Sequence, residues 1–307
     1  MLKYIFNRCV FLLLVLLGVS IIVFSLLYLT PGDPVKLMLG ESAAPEAKEQ
    51  LREELGLNDS FFVQYFNYVK DIVVHQDLGI SYVTRRPVLN DILDVFPNTV
   101  LLACSAIAIA VVLGIILGII SAVKQYSLID NFVMTFALIG TSAPIFWIGI
   151  LMILFFSVKL GWFPPSGYGS FKQMIMPAVA LGMQSTAMIA RMTRSSMLEV
   201  IRQDFVKTAR AKGQKEFVVI LGHVFRNALI PIITVIGLQF GSLLGGALLT
   251  ETVFSIPGLG RLMVESIKMR DYPIVQGSVL FIAACFSLVN LIVDILYVAV
   301  DPRISRS

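Results

Sequence analysis

The sequence predicts an all-α membrane protein with about six transmembrane helices and a small helical segment between the first two. Its 307 residues are 57% hydrophobic and 14% charged, whereas soluble domains average about 45–50% apolar and about 25% charged residues. Six runs of residues contain no charge, and each is long enough for a membrane span. A cluster of lysine and arginine separates the fourth run from the fifth.

The first charge-free run, residues 10–29, is about 30 Å long as an α-helix, which matches the hydrocarbon thickness of a bilayer. It is longer than the core of a signal peptide and is followed by a helix-stopping Pro-Gly-Asp-Pro sequence, so we expect a retained span. Pro144 predicts a kink in the third span, and the fourth, which contains Pro177, is the weakest. The further spans are predicted at 99–123, 131–158, 173–190, 227–250 and 272–293.

Lysine and arginine near the span ends predict the orientation in the membrane. Residues 191–226 carry eight of these cations against three acidic residues. We therefore expect this segment to be a cytoplasmic loop, together with both termini, where the cations agree in Lys3, Arg8, Arg303 and Arg306. The segment 31–98 then lies outside.

The outer segment is predicted to contain two short helices. Residues 45–55 have an acidic residue near the start and Gly56 just past the end. Asp59 or Ser60 can cap the second helix. Its apolar face, at helical spacing, would consist of Phe62, Tyr65, Phe66, Val69 and Val73. No second soluble domain is indicated, so residues 1–307 are predicted to form one transmembrane domain.

Catalytic and cofactor motifs do not occur in the sequence. It has no phosphate-binding G-x-x-x-x-G-K-[ST], no H-E-x-x-H and no G-x-S-x-G. Cys9, Cys104 and Cys285 lie in or beside apolar runs, where cysteine packs as a small residue, and they predict neither a disulfide nor a metal site. We therefore expect no enzyme activity, no cofactor and no nucleic-acid partner.

The predicted spans also lack the ionisable residues that usually carry a coupling ion. Asp294 follows the sixth charge-free run at its cytoplasmic end, where it would lie at headgroup level. Energy for any transport must then come from another subunit.

Two features suggest close contacts with other helices or subunits. Gly237, Gly241 and Gly245 repeat every four residues in the fifth span and form a flat ridge, which favours helix packing over a role in a transport path. Gly114 and Gly118 do the same in the second span.

Residues 197–212 have helical composition and end at Gly213. Small residues lie there among cations: Thr208, Ala209 and Ala211 beside Arg210, Lys212 and Lys215. Such a helix can enter a groove on a partner, or it can belong to a basic loop that touches lipid headgroups.

Four groups of residues follow one another in chain order: residues 30–34 (TPGDP); 77–81 (DLGIS) with 86–88 (RPV); 207–213 (KTARAKG) with 226–231 (RNALIP); and 251–260 (ETVFSIPGLG). Together they resemble the permease subunits of the peptide and nickel branch of ATP-binding-cassette importers. The resemblance runs almost from end to end.

This resemblance implies a type I importer transmembrane fold in a bacterial or archaeal plasma membrane. It also implies a second, non-identical permease subunit, two cytoplasmic ATPase subunits and an extracytoplasmic solute-binding protein as partners. ATP-driven closure of the ATPases would swing the path between inward- and outward-facing states. The residues implied in coupling to the ATPases are Lys207, Thr208, Ala209, Arg210, Ala211 and Gly213.

The sequence departs from the wider importer family, whose coupling loop reads E-A-A-x-x-x-G. Lys207 and Thr208 occupy the first two places, and Arg226 stands where the wider pattern has proline. Short peptides are the expected substrate class, with nickel complexes, metallophores or glutathione as alternatives. A channel or ion-coupled carrier without ATPases, and a membrane-embedded enzyme, are the competing functions.

Overall fold

The computed structural model describes residues 2–30, 33–40 and 42–300 of the chain. Within these ranges most of the backbone is helical, and the pairing of Ile80 with Pro87 is the one β-bridge that they contain. The predicted all-α fold is therefore confirmed. Several residues used in the sequence argument lie outside the described backbone or side chains: Lys3, Cys9, Pro31, Gly32, Asp294, Arg303 and Arg306.

The helices are numbered here along the chain. They are α1 Leu2–Leu29, α2 Pro34–Leu39, α3 Pro45–Glu54, α4 Phe61–Lys70, α5 Val88–Val123, α6 Leu128–Ser142, α7 Ile145–Met152, α8 Phe171–Ile201, α9 Asp204–Ala211, α10 Glu216–Val218, α11 Arg226–Val253, α12 Leu259–Met269 and α13 Tyr272–Val300. Wider π-helical turns at Asp71–His75, Ile153–Lys159 and Val219–Phe225 continue α4, α7 and α10.

Four stretches of helix in the described chain are long and apolar enough to cross a membrane, namely Val10–Leu29, Val88–Val123, Glu216–Gly245 and Tyr272–Val293. A fifth span results if α6 and α7 with its π-helical continuation count together, since they meet at a bend of 105°. The break falls at Ala143 and Pro144, so the kink predicted at Pro144 is confirmed. The remaining predicted span lies in α8, whose helix runs through Pro177.

The described chain forms two compact units. The first consists of Leu2–Thr99 with Pro257–Cys285, and the second of Val100–Ile256 with the chain from Phe286 onward. The single domain predicted for residues 1–307 stays a prediction.

In the first unit, both short helices of the 31–98 segment are present, and the contact of the second with α1 includes only part of its predicted apolar face. α3 ends at Glu54, two residues before Gly56, whose φ is +63°. α4 packs on Phe24 of α1 through Phe61, Tyr65 and Tyr68, whereas the predicted apolar face largely points outward, with Phe62, Phe66 and Val73 exposed. Aromatic residues occupy both sides of α4, and the contact with α1 selects one of them.

Two of the sequence motifs meet in the first unit. Val88 and Leu259 are fully buried in one apolar cluster with Ile92 and Ile274. The buried carboxylate of Asp271, just before α13, accepts hydrogen bonds from the Ser81 hydroxyl and from the Tyr82 N–H at 3.0 Å. The segment around residue 81 is thereby fixed to the start of α13.

In the second unit, small residues bring the backbone of α8 close to its neighbours. A Cβ atom on Gly118 of α5 would lie 2.5 Å from the Thr193 Cβ and 2.7 Å from the Ala190 carbonyl oxygen. A Cβ on Gly182 of α8 would lie 2.7 Å from the carbonyl oxygen of Ala106 in α5. Contacts of this kind need glycine, because a methyl group would force the two helices apart.

This packing generates a stability prediction. We expect Gly118→Ala to destabilise the protein by about 1–3 kcal/mol, because the added methyl group overlaps the backbone of α8. The measurement is the midpoint of thermal unfolding in detergent. Gly18→Ala is the matched control, since a Cβ there has no atom within 4 Å and alanine is the better helix former. Equal midpoints for the two variants would contradict the close contact.

Candidate functional site

The basic segment, residues 191–226, is helical for most of its length and is not an open loop. α8 continues to Ile201, and a short turn at Arg202 and Gln203 leads into α9. The run of helical composition over residues 197–212 is thus divided between two helices. Gln203 adopts an extended conformation, and Asp204 begins α9, a position where a negative charge is favoured by the helix dipole.

α9 buries one face against its own chain. Val206 is fully buried and Ala209 nearly so. They belong to an apolar cluster with Met197 and Val200 of α8 and Ala122 of α5. The cluster also includes Val219, Ile220 and Val224 of the π-helical turn and Ala228 and Ile232 of α11. The coupling-helix candidate is thus fixed to the ends of three long helices.

The opposite face of α9 is exposed and differs from the predicted small-residue face. Thr208 and Ala211 point outward, but Ala209 points inward, because successive residues of an α-helix are about 100° apart around its axis. Phe205, three residues before Thr208, completes the outward face and is 40% exposed. Sequence reasoning missed Phe205, although its helical spacing from Thr208 and Ala211 was a usable signal.

Two of the implied coupling cations form ion pairs within the segment. Lys207 Nζ lies 2.9 Å from Asp204 Oδ1, and this contact lowers the pKa of the Asp204 carboxyl. Arg210 donates two hydrogen bonds to Glu216, from Nε at 3.1 Å and from Nη2 at 2.6 Å, and these raise the pKa of Arg210.

Two further cations remain at the surface beside the turn. Lys212 and Lys215 are exposed and form no ion pair with any residue in the described part of the chain. A basic edge therefore follows α9, in addition to the two internally paired cations.

The turn after α9 depends on the backbone of Gly213. Its φ is +75°, a left-handed conformation that glycine adopts without the strain of other residues. Its N–H donates to the carbonyl oxygen of Arg210 at 2.9 Å. A Cβ at this position would meet no atom of the chain within 4 Å, so the requirement for glycine comes from conformation and not from space.

The glycine ridge of α11 lies partly against α13. A Cβ on Gly237 would lie 2.2 Å from Val293 Cγ2, and one on Gly241 would lie 3.1 Å from Phe286 Cδ2. Gly245 is exposed. The packing role assigned to Gly237, Gly241 and Gly245 stays a prediction.

No group of three histidine, cysteine, aspartate or glutamate side chains among the described residues is arranged to hold a metal ion. The candidate site consists of an exposed helical face, its glycine turn and a basic edge.

Comparisons with known proteins give the chain a family. Residues 114–306 match the model of the binding-protein-dependent transport system inner membrane component, and residues 1–103 match the model of the N-terminal part of such membrane components. The chain is 44% identical to the dipeptide transport system permease protein DppB of Alkalihalophilus pseudofirmus, over 99% of both chains. It is 43% identical to the glutathione transport system permease protein GsiC of Escherichia coli K12, again over 99% of both.

Solved structures support the same fold. The inward-facing MetNI methionine ABC transporter matches with a TM-score of 0.57 and 19% identity, covering 69% of this chain and 97% of that one. An amino acid ABC transporter matches with a TM-score of 0.53 and 15% identity, covering 68% and 94%. With several apolar helices and family models along nearly its whole length, this chain is a multi-pass membrane protein that belongs to the inner membrane components of binding-protein-dependent transport systems.

Proposed function

We propose that the chain is the permease subunit of an ATP-driven importer of short peptides. The observation that carries the substrate class is the similarity over 99% of the chain to a dipeptide permease, at 44% identity, and to a di/tripeptide permease of Pseudomonas aeruginosa, at 43%. The glutathione permease is equally similar, at 43%, and glutathione is itself a tripeptide. A short peptide with free polar termini is the chemistry that these substrates share.

The ATPase partners would dock on the exposed face of α9. This face presents the apolar ring of Phe205 beside the small side chains of Thr208 and Ala211. A helix face of this kind can enter a groove on a partner. Because Val206 and Ala209 fix the other face to α5, α8 and α11, a push on α9 would move the ends of these helices as one body. This arrangement suits rigid-body alternating access.

The remaining subunits follow from the same proposal. A second, non-identical permease would complete the path across the membrane, and an extracytoplasmic binding protein would deliver the peptide. The basic segment 191–226 and both termini would be cytoplasmic, since cations concentrate in that segment. The segment 31–98 would then face outward, on the side of the binding protein.

The function is tested with the complex reconstituted in lipid vesicles from the chain and the subunits encoded beside it. We expect ATP hydrolysis and uptake of a labelled dipeptide to rise when binding protein and dipeptide are added together. A channel or ion-coupled carrier gives a different result, because the chain alone then moves the dipeptide without ATPase subunits. That outcome would rule out the proposed function.

A pair of substitutions at Gly213 tests the coupling turn. Gly213→Val is expected to lower peptide-stimulated ATP hydrolysis by about tenfold, because a left-handed conformation costs a β-branched residue about 1–2 kcal/mol or more. Gly213→Asn is the matched control, since asparagine is of similar size and tolerates this conformation. Both variants should assemble with the ATPases. Equal activities would show that the backbone conformation at residue 213 does not matter.

The outward face of α9 is tested through Phe205. Phe205→Ala should weaken association with the ATPase subunits by about tenfold or more, because buried aromatic residues often dominate the binding energy of interfaces. Phe171→Ala is the control, since Phe171 is 84% exposed at the opposite end of α8. Affinity is measured by titrating purified ATPase into the permease complex in nanodiscs. A loss of the same size in both variants would place the docking surface elsewhere.

A further inference from the structure

A largely buried ion pair joins the start of α6 to α8. Arg194 of α8 donates from Nε to Asp130 Oδ1 and from Nη2 to Oδ2, each at 2.7 Å. The Ser121 hydroxyl at the end of α5 also donates to this carboxylate, and so does the Tyr126 N–H at 2.9 Å. The Asp130 side chain is 3% exposed and that of Arg194 is 23% exposed.

The contact between Asp130 and Arg194 is held in a single geometry by its hydrogen bonds. A buried carboxylate is tolerated when its oxygens are paired and hydrogen-bonded, and loss of one partner leaves an uncompensated charge. The planar guanidinium forms two parallel hydrogen bonds to the carboxylate, which fixes orientation as well as distance. In addition, Tyr126 has φ of +63°, a conformation that persists in such a residue when its surroundings hold it. The contact is therefore a stiff joint.

The joint lies beside the cluster that holds α9. On α8, Arg194 precedes Met197 of that cluster by three residues, about one helical turn. On α5, Ser121 of the joint is directly followed by Ala122 of the cluster. The same two helices thus carry α9 on the apolar cluster and α6 on the ion pair. If α9 moves, the ends of α5 and α8 that carry it move as well, and the ion pair connects these ends to the start of α6.

α6 continues into the bend at Pro144 and then into α7. Further along α6, the contact with α8 at Gly140 is looser than the ion pair. A Cβ on Gly140 would lie at the ordinary separations of 3.6 Å from Met183 Cγ and 3.7 Å from Ala187 Cβ. Gly140 is ten residues, about 15 Å, further along α6 than Asp130. The ion pair is the polar joint at the start of α6, where α5 and α8 also carry the α9 cluster.

We propose that Asp130 and Arg194 are positioning residues that transmit the displacement of α9 to the bent α6–α7 span, so that ATP hydrolysis drives peptide movement. The inference rests on the proposed function of an ATP-driven importer. The joint plays no part in docking the ATPases, because neither side chain belongs to the outward face of α9.

The test uses the complete complex in vesicles, with binding protein and a labelled dipeptide. We expect Asp130→Asn to lower the number of peptides imported per ATP hydrolysed by about fivefold or more, in the usual range of coupling effects between sites. Basal ATP hydrolysis and recovery of the ATPase subunits should stay at the wild-type level. A variant that only destabilises the protein reduces the amount of active complex, so uptake and hydrolysis fall together and their ratio is unchanged.

Arg194→Lys is a milder substitution, because lysine keeps the positive charge but cannot form the bidentate contact of the guanidinium with the carboxylate. This variant serves as the test if the Asp130→Asn complex does not assemble. Its number of peptides imported per ATP hydrolysed should also fall. Asp59→Asn is the control, since Asp59 is exposed in the 31–98 segment. An unchanged ratio in the assembled variants, with normal wild-type uptake, overturns this inference alone. A wild-type complex without ATP-dependent uptake overturns the proposed function and this inference with it.

Discussion

The structure of the second unit depends on the close approach of other helices to α8. This helix combines small residues with a few medium-sized ones along its buried side, and neighbouring backbones come within direct contact of it at Gly118 and Gly182. In a membrane, lipid tails are as apolar as leucine, so helices associate through tight packing and hydrogen bonds more than through hydrophobic burial. The Gln239 amide of α11 also donates to the Ser185 hydroxyl of α8 at 3.1 Å.

The same constraint explains how α9 is attached. A helix of eight residues is too short to be stable alone in water, so its geometry must come from what it packs against. Val206 and Ala209 meet the ends of α5, α8 and α11, which are themselves held together by the contacts along α8. The position of α9 is therefore set by the long helices, and a force applied to α9 acts on them directly.

Charge-free runs in the sequence located the long helices but did not give their ends. α5 begins at Val88 and passes through Pro97, well before the predicted start at residue 99. A run without charges marks contact with lipid, whereas a helix can continue into water if its polar side chains are satisfied. Here Asp91 and Asp94 both pair with Arg86. Hydropathy alone gives the length of the charge-free run and not the length of the whole helix.

The sequence singled out the segment that is proposed for coupling, but not its inner and outer faces. The motif showed where the small residues lie, and the break at Gln203 decides which of them point outward. The ion pair could not be predicted from the sequence, because Asp130 and Arg194 are 64 residues apart and Arg194 is one of several similar cations in a basic segment. Tertiary partners select both features, and a single sequence does not contain that choice in a local pattern.

The departure from the family motif at Lys207 changes what a partner would meet on α9. Lys207 pairs with Asp204 and Arg210 with Glu216, so these four charges largely satisfy one another at the surface. Exposed pairs of this kind add little stability. In the proposed complex, most of the affinity would then come from Phe205, Thr208 and Ala211. Lys212 and Lys215 at the edge would act chiefly on the rate and orientation of docking, because rim charges steer association more than they strengthen it.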